Sequence, residues 1–250
     1  MNPLAIIPAR FGSSRLEGKP LVDILGKPMI QRVFEQTIKA IPTAFVATDD
    51  ERIKQAVIEF GGNVVMTSDD HQNGTTRCLE AYQKIVASTK ENYDVIVNVQ
   101  GDEPMLEPEQ LKELIRPFEK SEVRISTLVS PVTSAEDLFN ESEAFVVLDK
   151  NKKALYFSRS VIPHIRDVHK MHWLEHHTFF KHVGLYAYTF EALQEFAELP
   201  MSTLERMESL EQNRWIENGN SIHVELTNHE SIPVDTIDDL ERVRSLMKER

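Results

Sequence analysis

Arg10, Arg15 and Lys19, with Lys27 further on, gather around Gly12, Ser13, Ser14 and Gly18, in a chain whose formal net charge is -12. This stretch begins at Pro8, directly after the apolar run of residues 4–7. Backbone N–H groups of a Gly/Ser-rich loop can approach phosphate oxygens closely, and Arg or Lys adds charge-assisted hydrogen bonds. The composition suits a polyphosphate cradle, although a solvated surface loop would look similar. The spacing matches neither G-x-G-x-x-G nor G-x-x-x-x-G-K-[ST], because Lys19 is followed by Pro20.

Two acidic positions could serve the same chemistry. Asp102 and Glu103 close the apolar segment "VNVQGDEP", and Asp235 precedes a helical pattern in "IPVDTIDD". Magnesium takes hard oxygen ligands, commonly one or two carboxylates plus substrate phosphates. Taken singly, Asp102 reads as a turn residue and Asp235 as a helix-start carboxylate. Joined to the basic loop, they answer one need, the neutralisation of a triphosphate.

Other constellations carry less. His164, His169, His172, His176 and His177 crowd one stretch. They lack the H-E-x-x-H pattern and a nearby cysteine, so they read as a mobile polar segment rather than a zinc site. His182 opens a strand-like run, "HVGLYAYTF", from which it could point into a pocket. No G-x-S-x-G is present, and Cys78 lies among apolar neighbours on a helix face, which excludes a Ser or Cys hydrolase.

The elements that must position these residues show in the apolar pattern. Runs at 4–7, 44–48, 63–67 and 94–102 read as strands, and amphipathic stretches at 28–40, 77–88 and 107–120 read as helices between and after them. That alternation predicts a parallel sheet covered on both faces, with ligands beyond the carboxyl ends of its strands. After residue 122 the strands follow one another with short connections, which predicts a mixed-sheet extension. A helical stretch over 203–218, a strand over 221–228 and a C-terminal helix whose Thr236 and Asp239 form a capping box complete the chain.

Composition sets the remaining bounds. At 250 residues, with 41% hydrophobic and 27% charged side chains, the chain buries a sizeable core. Its acidity argues against nucleic-acid or anionic-membrane partners. A single cysteine, no signal-peptide pattern and no apolar run of membrane-spanning length predict a cytoplasmic protein.

Eight segments together resemble the bacterial CMP-Kdo synthetases, the 3-deoxy-manno-octulosonate cytidylyltransferases. They are "IIPARFGSSRLEGKPLVDILGKPMIQRV", "VATDD", "MTSDDHQNGTTR", "VNVQGDEPM", "ALYFSRSVIP", "KHVGLYAY", "LERMESLEQNRWIENG" and "VDTIDDLERV", in order over nearly the whole chain. The resemblance implies an α/β, Rossmann-like nucleotidyltransferase fold, with a mostly parallel central sheet, helices on both faces and a smaller mixed-sheet extension. It implies one domain over 1–250: a nucleotide-binding part of about 1–120, a sugar-binding and dimerisation extension of about 121–220, and a C-terminal metal loop and helix over about 221–250. The implied partners are CTP, Mg²⁺, an acidic eight-carbon sugar and a second copy of the chain.

By that resemblance, Lys19, Arg10, Asp102 and Asp235 are the catalytic set, with Asp102 and Asp235 binding magnesium. Pro8, Ala9, Arg10, Ser13, Ser14 and Lys19 would hold the nucleotide, with Ala47, Thr48, Asp49, Gly74, Arg77 and Gln100 around it. Gln100, Arg159, His182, Tyr186, Glu208 and Gln212 would face the sugar. The implied reaction transfers CMP from CTP to the sugar's anomeric hydroxyl, releasing pyrophosphate, for lipopolysaccharide synthesis. Three positions depart from the family pattern: Glu17 where R-L-P-G-K-P has proline, Thr76 where S-G-T-E-R has glutamate, and Phe145 where a lysine is usual. They leave room for the branch that uses 8-amino-Kdo. They also leave room for a CTP-binding regulatory protein without turnover, or a cytidylyltransferase for another keto-deoxy acid such as sialic acid.

Overall fold

The computed structural model describes residues 1–12, 16–71, 73–140 and 142–249. In chain order its elements are β1 (Pro3–Ala9), β2 (Asp23–Ile24), β3 (Lys27–Pro28), α1 (Met29–Ile38), β4 (Ala44–Thr48), α2 (Glu51–Glu59), β5 (Val64–Met66) and α3 (Gly74–Thr89). There follow β6 (Val95–Asn98), α4 (Pro108–Ile115), β7 (Ile125–Pro131), β8 (Phe145–Leu148), β9 (Ala154–Ser158) and β10 (Phe180–Tyr188). The last are α5 (Phe190–Glu198), α6 (Thr203–Glu208), α7 (Asn213–Glu217), β11 (His223–Leu226) and α8 (Ile237–Glu249). The chain divides into two compact units, Met1–Ile115 joined by the C-terminal segment from Ser231, and Arg116–Glu230.

In the first unit β6, β1, β4 and β5 lie side by side in that order, all parallel. Leu4, Ala5, Ile6 and Ile7 are each 0% exposed. Successive strand residues point to opposite faces, so such a run requires cover on both. Helix α1 buries Met29, Ile30, Val33, Phe34 and Thr37, the inward stripe of its helical repeat. Asp50 caps α2 by accepting the Arg52 N–H at 2.8 Å, and Gly61 follows its end with φ +78°, which a glycine adopts without strain. From β1 the chain steps to β4 and β5, then returns to the other flank of β1 as β6. The order therefore reverses between β1 and β6, and there the crevice of an open parallel sheet forms.

The C-terminal helix closes this unit. The capping box is present: the Asp239 N–H donates to Thr236 Oγ1 at 3.2 Å and the Thr236 N–H to Asp239 Oδ2 at 2.8 Å. Leu240 and Val243 of α8 pack with Ile24, Met29, Met105 and Val234, which fixes the segment carrying Asp235.

In the second unit β7 runs parallel to β11 and antiparallel to β10; β8 runs antiparallel to both β10 and β9. The pairing of β11 with β7 puts residues 223–226, read from the sequence pattern as a strand, in this unit, whereas the resemblance groups residues from about 221 with the C-terminal loop. The stretch read as one helix over 203–218 is two. It breaks at Ser209, whose φ of +53° ends α6, although no glycine or proline marks the spot. The histidine-rich stretch is not a loose polar segment either. Trp173 is 5% exposed, stacks on Phe179 with ring centroids 5.6 Å apart, and donates its indole N–H to Val168 O at 2.9 Å.

Candidate functional site

A pocket of about 310 Å³ opens in the first unit at the reversal of strand order. Its walls are the ends and following loops of β1 (Pro8, Ala9, Arg10) and β6 (Gln100, Gly101, Asp102), with Lys19, Pro20 and Asp235 on one side. His71, Asn73, Gly74 and Arg77 form the other side, at the start of α3. This is the place that the parallel-sheet argument assigns to a ligand.

Lys19 is central. Its Nζ donates to Asp102 Oδ2 at 2.6 Å and to Asp235 Oδ1 at 3.0 Å, joining positions 83 and 216 residues away in the chain. Burial pulls the ammonium's pKa down, but the charges and hydrogen bonds of Asp102 and then Asp235 outweigh it, so the value lies above the ordinary 10.5. The backbone holds this arrangement. The Leu21 N–H donates to Gly18 O at 2.8 Å in a short turn that starts from Gly18 at φ +66°. The Val234 N–H donates to Asp102 O at 2.9 Å and so ties the two aspartate loops together. Gly101 approaches β1 so closely that a Cβ there would lie 2.7 Å from Pro8 O, which is why the position demands glycine.

Neighbouring Glu103 is 5% exposed, and burial first, with the charge of Asp102, pushes its carboxyl up to about 7 against a smaller pull from Ser231.

At the opposite wall, Asn73 caps α3 by accepting the Thr76 N–H at 2.9 Å, and the helix turns its positive end toward the pocket. Arg77, 3% exposed, donates to Asp49 Oδ2 at 2.6 Å and to Thr67 Oγ1 at 2.7 Å. The two nitrogens of His71 are held by Thr76 Oγ1 and by the Glu80 carboxylate. The Arg52 guanidinium of α2 lies 3.2 Å from the ring centroid of Phe11, on the loop after β1, and is held by Asp50 and, at longer range, by the charge of Glu17.

Of the nucleotide-side residues read from sequence, Pro8, Ala9, Arg10, Lys19, Gly74, Arg77, Gln100, Asp102 and Asp235 line this pocket. Ser13 and Ser14 lie outside the described residues. Ala47 and Thr48 are 0% exposed and do not line it, and Asp49 touches it only through Arg77. His71, Asn73, Pro20 and Gly101 line the pocket without having been singled out. Asn73 had a signal, since an asparagine directly before a helical pattern is a cap.

The sugar-side residues other than Gln100 belong to the second unit. His182, on β10, is bonded through Nε2 to Thr127 Oγ1 at 2.9 Å, and burial pushes its pKa down to about 3. The Tyr186 hydroxyl and the Gln212 amide nitrogen are buried with no hydrogen-bond partner among the described residues. Buried polar atoms are rarely left so in a finished fold, and a polar ligand is one way to satisfy them. The Glu208 carboxylate accepts from Tyr156 Oη at 2.9 Å, Ser158 Oγ at 2.8 Å and the Arg159 N–H at 2.9 Å. Arg159 in turn donates Nε to Glu208 O and a terminal nitrogen to Ser142 O, both at 3.0 Å.

Among the described residues no three or more His, Cys, Asp or Glu side chains gather as a ready metal site. Asp102 and Asp235 nevertheless present hard oxygens to one cation, the Lys19 ammonium, and so fit a metal that takes the rest of its ligands from phosphate and water.

Comparison with known proteins agrees with this geometry. The family model described as cytidylyltransferase matches residues 4–222. A 3-deoxy-manno-octulosonate cytidylyltransferase of Parabacteroides distasonis is 52% identical, covering 100% of both chains. Its counterpart from Bacteroides thetaiotaomicron is 50% identical, again over 100% of both. A solved structure of CMP:2-keto-3-deoxy-manno-octonic acid synthetase complexed with CTP superposes with a TM-score of 0.89 at 40% identity, covering 100% of this chain and 99% of that one.

Proposed function

Since the chain belongs to the cytidylyltransferase family, we propose that it transfers CMP from CTP to the anomeric hydroxyl of 3-deoxy-manno-octulosonate, releasing pyrophosphate for lipopolysaccharide synthesis. The observation that carries this reading is the Lys19 ammonium, 2.6 and 3.0 Å from two aspartates, in a pocket at the sheet's switch point. Three groups distant in sequence have no packing reason to bring opposite charges together beside an open cleft.

Arg10 and Lys19 supply positive charge for the triphosphate, and the start of α3 adds oriented N–H groups. The acceptor hydroxyl attacks the α-phosphorus in line with the departing pyrophosphate, whose charge Lys19 and Arg10 offset. Asp102 and Asp235 would hold Mg²⁺. When bound, that ion neutralises phosphoryl charge and favours ionisation of a nearby hydroxyl. No strong side-chain base is then required. For the acceptor, the Arg159 guanidinium suits a carboxylate, and the unpartnered Tyr186 hydroxyl and Gln212 amide suit a polyol. Gln100, His182 and Glu208 complete that assignment, the last as the anchor of Arg159. The use of CTP favours a cytoplasmic location, and we read the working form as a homodimer.

The test is pyrophosphate release with CTP, Mg²⁺ and acceptor supplied together and each withheld in turn. Release should require all three. Competition between Kdo and 8-amino-Kdo at fixed CTP then identifies the acceptor. CTP binding without release in the presence of either sugar would refute the reading and favour a regulatory nucleotide-binding protein; release with sialic acid alone would move the chain to another acceptor class.

A further inference from the structure

The pair of carboxylates proposed to hold the metal already holds a cation. Lys19 Nζ spends two of its three donors on Asp102 and Asp235, at 2.6 and 3.0 Å, with side-chain exposures of 15% for the lysine and 26% and 35% for the aspartates. At 2.6 Å the first contact is at the short end for an ammonium–carboxylate hydrogen bond.

The two partners differ in what can move. Asp102 and Asp235 are tied to each other through the Val234 N–H to Asp102 O bond, and the Asp235 N–H is held by Asp239 Oδ2 at 3.1 Å. The Lys19 backbone is fixed as well, by its N–H to Leu16 O at 3.2 Å and by the turn that closes on Gly18. With all three backbones held, the long four-carbon lysine stem has the greatest reach, and the pocket into which it can swing is the one that the β1 loop and Arg10 line. An ammonium and a divalent ion cannot share two carboxylate oxygens, because their charges repel at contact distance.

We infer that Lys19 is the resident cation of the metal site: it occupies the position between Asp102 and Asp235 until a nucleoside triphosphate draws it onto phosphate, so metal and nucleotide bind in concert. This rests on the reading that those aspartates hold the metal. In the absence of nucleotide the ion must displace the ammonium; with nucleotide, the triphosphate's negative charge gives Lys19 a second partner and releases both carboxylates. By linkage, whatever the nucleotide does for the metal the metal does equally for the nucleotide.

Manganese, used as the probe, reports this without any turnover, because free Mn²⁺ is counted directly by electron paramagnetic resonance. The intact chain without CTP should bind Mn²⁺ weakly, and Lys19→Met should bind it about tenfold or more tightly, the scale of one charge-assisted contact. Lys19→Gln repeats the neutral replacement should the methionine variant fold poorly. Lys19→Arg keeps the charge and should bind as weakly as the parent. Arg10→Met removes a different pocket charge and should shift affinity far less than Lys19→Met. Added CTP should strengthen Mn²⁺ binding in the parent and close most of the gap to the lysine variants. Equal Mn²⁺ affinity in the parent, Lys19→Met and Lys19→Gln, with binding abolished by Asp102→Asn, would overturn the inference and leave the metal reading standing. Mn²⁺ binding that Asp102→Asn and Asp235→Asn leave unchanged, with and without CTP, would overturn the metal reading and the inference together.

Discussion

Replacing Gly101 by alanine tests how strictly the strand ends build the site. The added Cβ would lie 2.7 Å from the Pro8 carbonyl oxygen, roughly 0.6 Å inside the closest ordinary C···O contact of about 3.3 Å. The oxygen is backbone, on a strand whose neighbours Leu4 to Ile7 are 0% exposed, so it cannot retreat cheaply. The loop after β6 must give instead, and Asp102 is the next residue. Overpacking of this kind costs about 1–3 kcal/mol. For a chain of this size each kcal/mol lowers the melting temperature by about 2–4 °C. The shift passes straight to the carboxylate that Lys19 grips at 2.6 Å. Misplacing a reacting group by about 1 Å costs roughly a hundredfold, so the expected fall in kcat is about ten- to a hundredfold. Pyrophosphate release at saturating CTP and acceptor, read beside a thermal melt, measures both effects. Gly61→Ala, at φ +78°, is unsuitable as a melt control, so Gly12→Ala serves instead, since a Cβ there meets nothing within 4 Å among the described residues. A Gly101→Ala protein with parental kcat and melting temperature would refute the steric account of the site.

Three further outcomes are expected. Glu205 and Arg214, 7% and 8% exposed and joined at 2.5 and 2.7 Å, form a buried pair, so Glu205→Gln should cost about 3 kcal/mol in urea unfolding by leaving the guanidinium with only Leu199 O and the weaker pull of Glu211. Glu80 meets opposing influences: burial raises its carboxyl, but Lys84, His71 and the Ser68 N–H together lower it from 4.5 to about 2. The stability this contributes is therefore present above pH 4.5 and lost as the pH falls toward about 2, and denaturation of Glu80→Gln beside the parent should show their difference closing in that window. Burial holds His182 at about 3, so its ring resonances should stay fixed between about pH 5 and 8. Because only the unfolded chain takes up that proton near 6.5, its contribution to stability should decline as pH falls below that value.

What could be read from the sequence followed from how directly a pattern encodes its cause. Strands β1, β4 and β6 show as apolar runs because both faces of a parallel sheet are covered, and the cap Thr236 shows because a helix start needs a side-chain acceptor; the caps Asp50 and Asn73, of equally favourable type, went unread. The break between α6 and α7 was hidden, since Ser209 adopts φ +53° with no glycine or proline to announce it. The packing of Trp173 was hidden for a different reason. Five histidines around one tryptophan look polar, yet the ring stacks on Phe179 and meets His164 edge-on at 5.1 Å. In the site, charges could be read by type, and their pairing could not. Nothing in the spacing of Lys19, Asp102 and Asp235 says that one ammonium bridges both carboxylates, and nothing in "VATDD" says that Asp49 serves Arg77 rather than the pocket.

The three departures from the family pattern bear on what this chain has changed. Glu17 places its charge near Arg52, which lies over Phe11 on the loop after β1. Thr76 takes part in the cap of α3 and, through its hydroxyl, meets His71, whose other nitrogen rests on Glu80. Phe145 is 0% exposed in a cluster with Val132, Leu138, Trp173 and Phe179, where a lysine's charge would be stranded. Each substitution is thus answered by local partners, two of them by charge or hydrogen bond and one by apolar packing. A chain drifting away from turnover would first lose the groups that stabilise nothing but a transition state, since these carry a cost to stability and no benefit without catalysis. Here the opposite holds. Asp102 and Asp235 remain tied together by backbone and gripped by one lysine, while the changes fall on residues that pack, cap or brace the walls. Divergence of that kind alters which ligand fits, so an acceptor panel is where its consequences should appear.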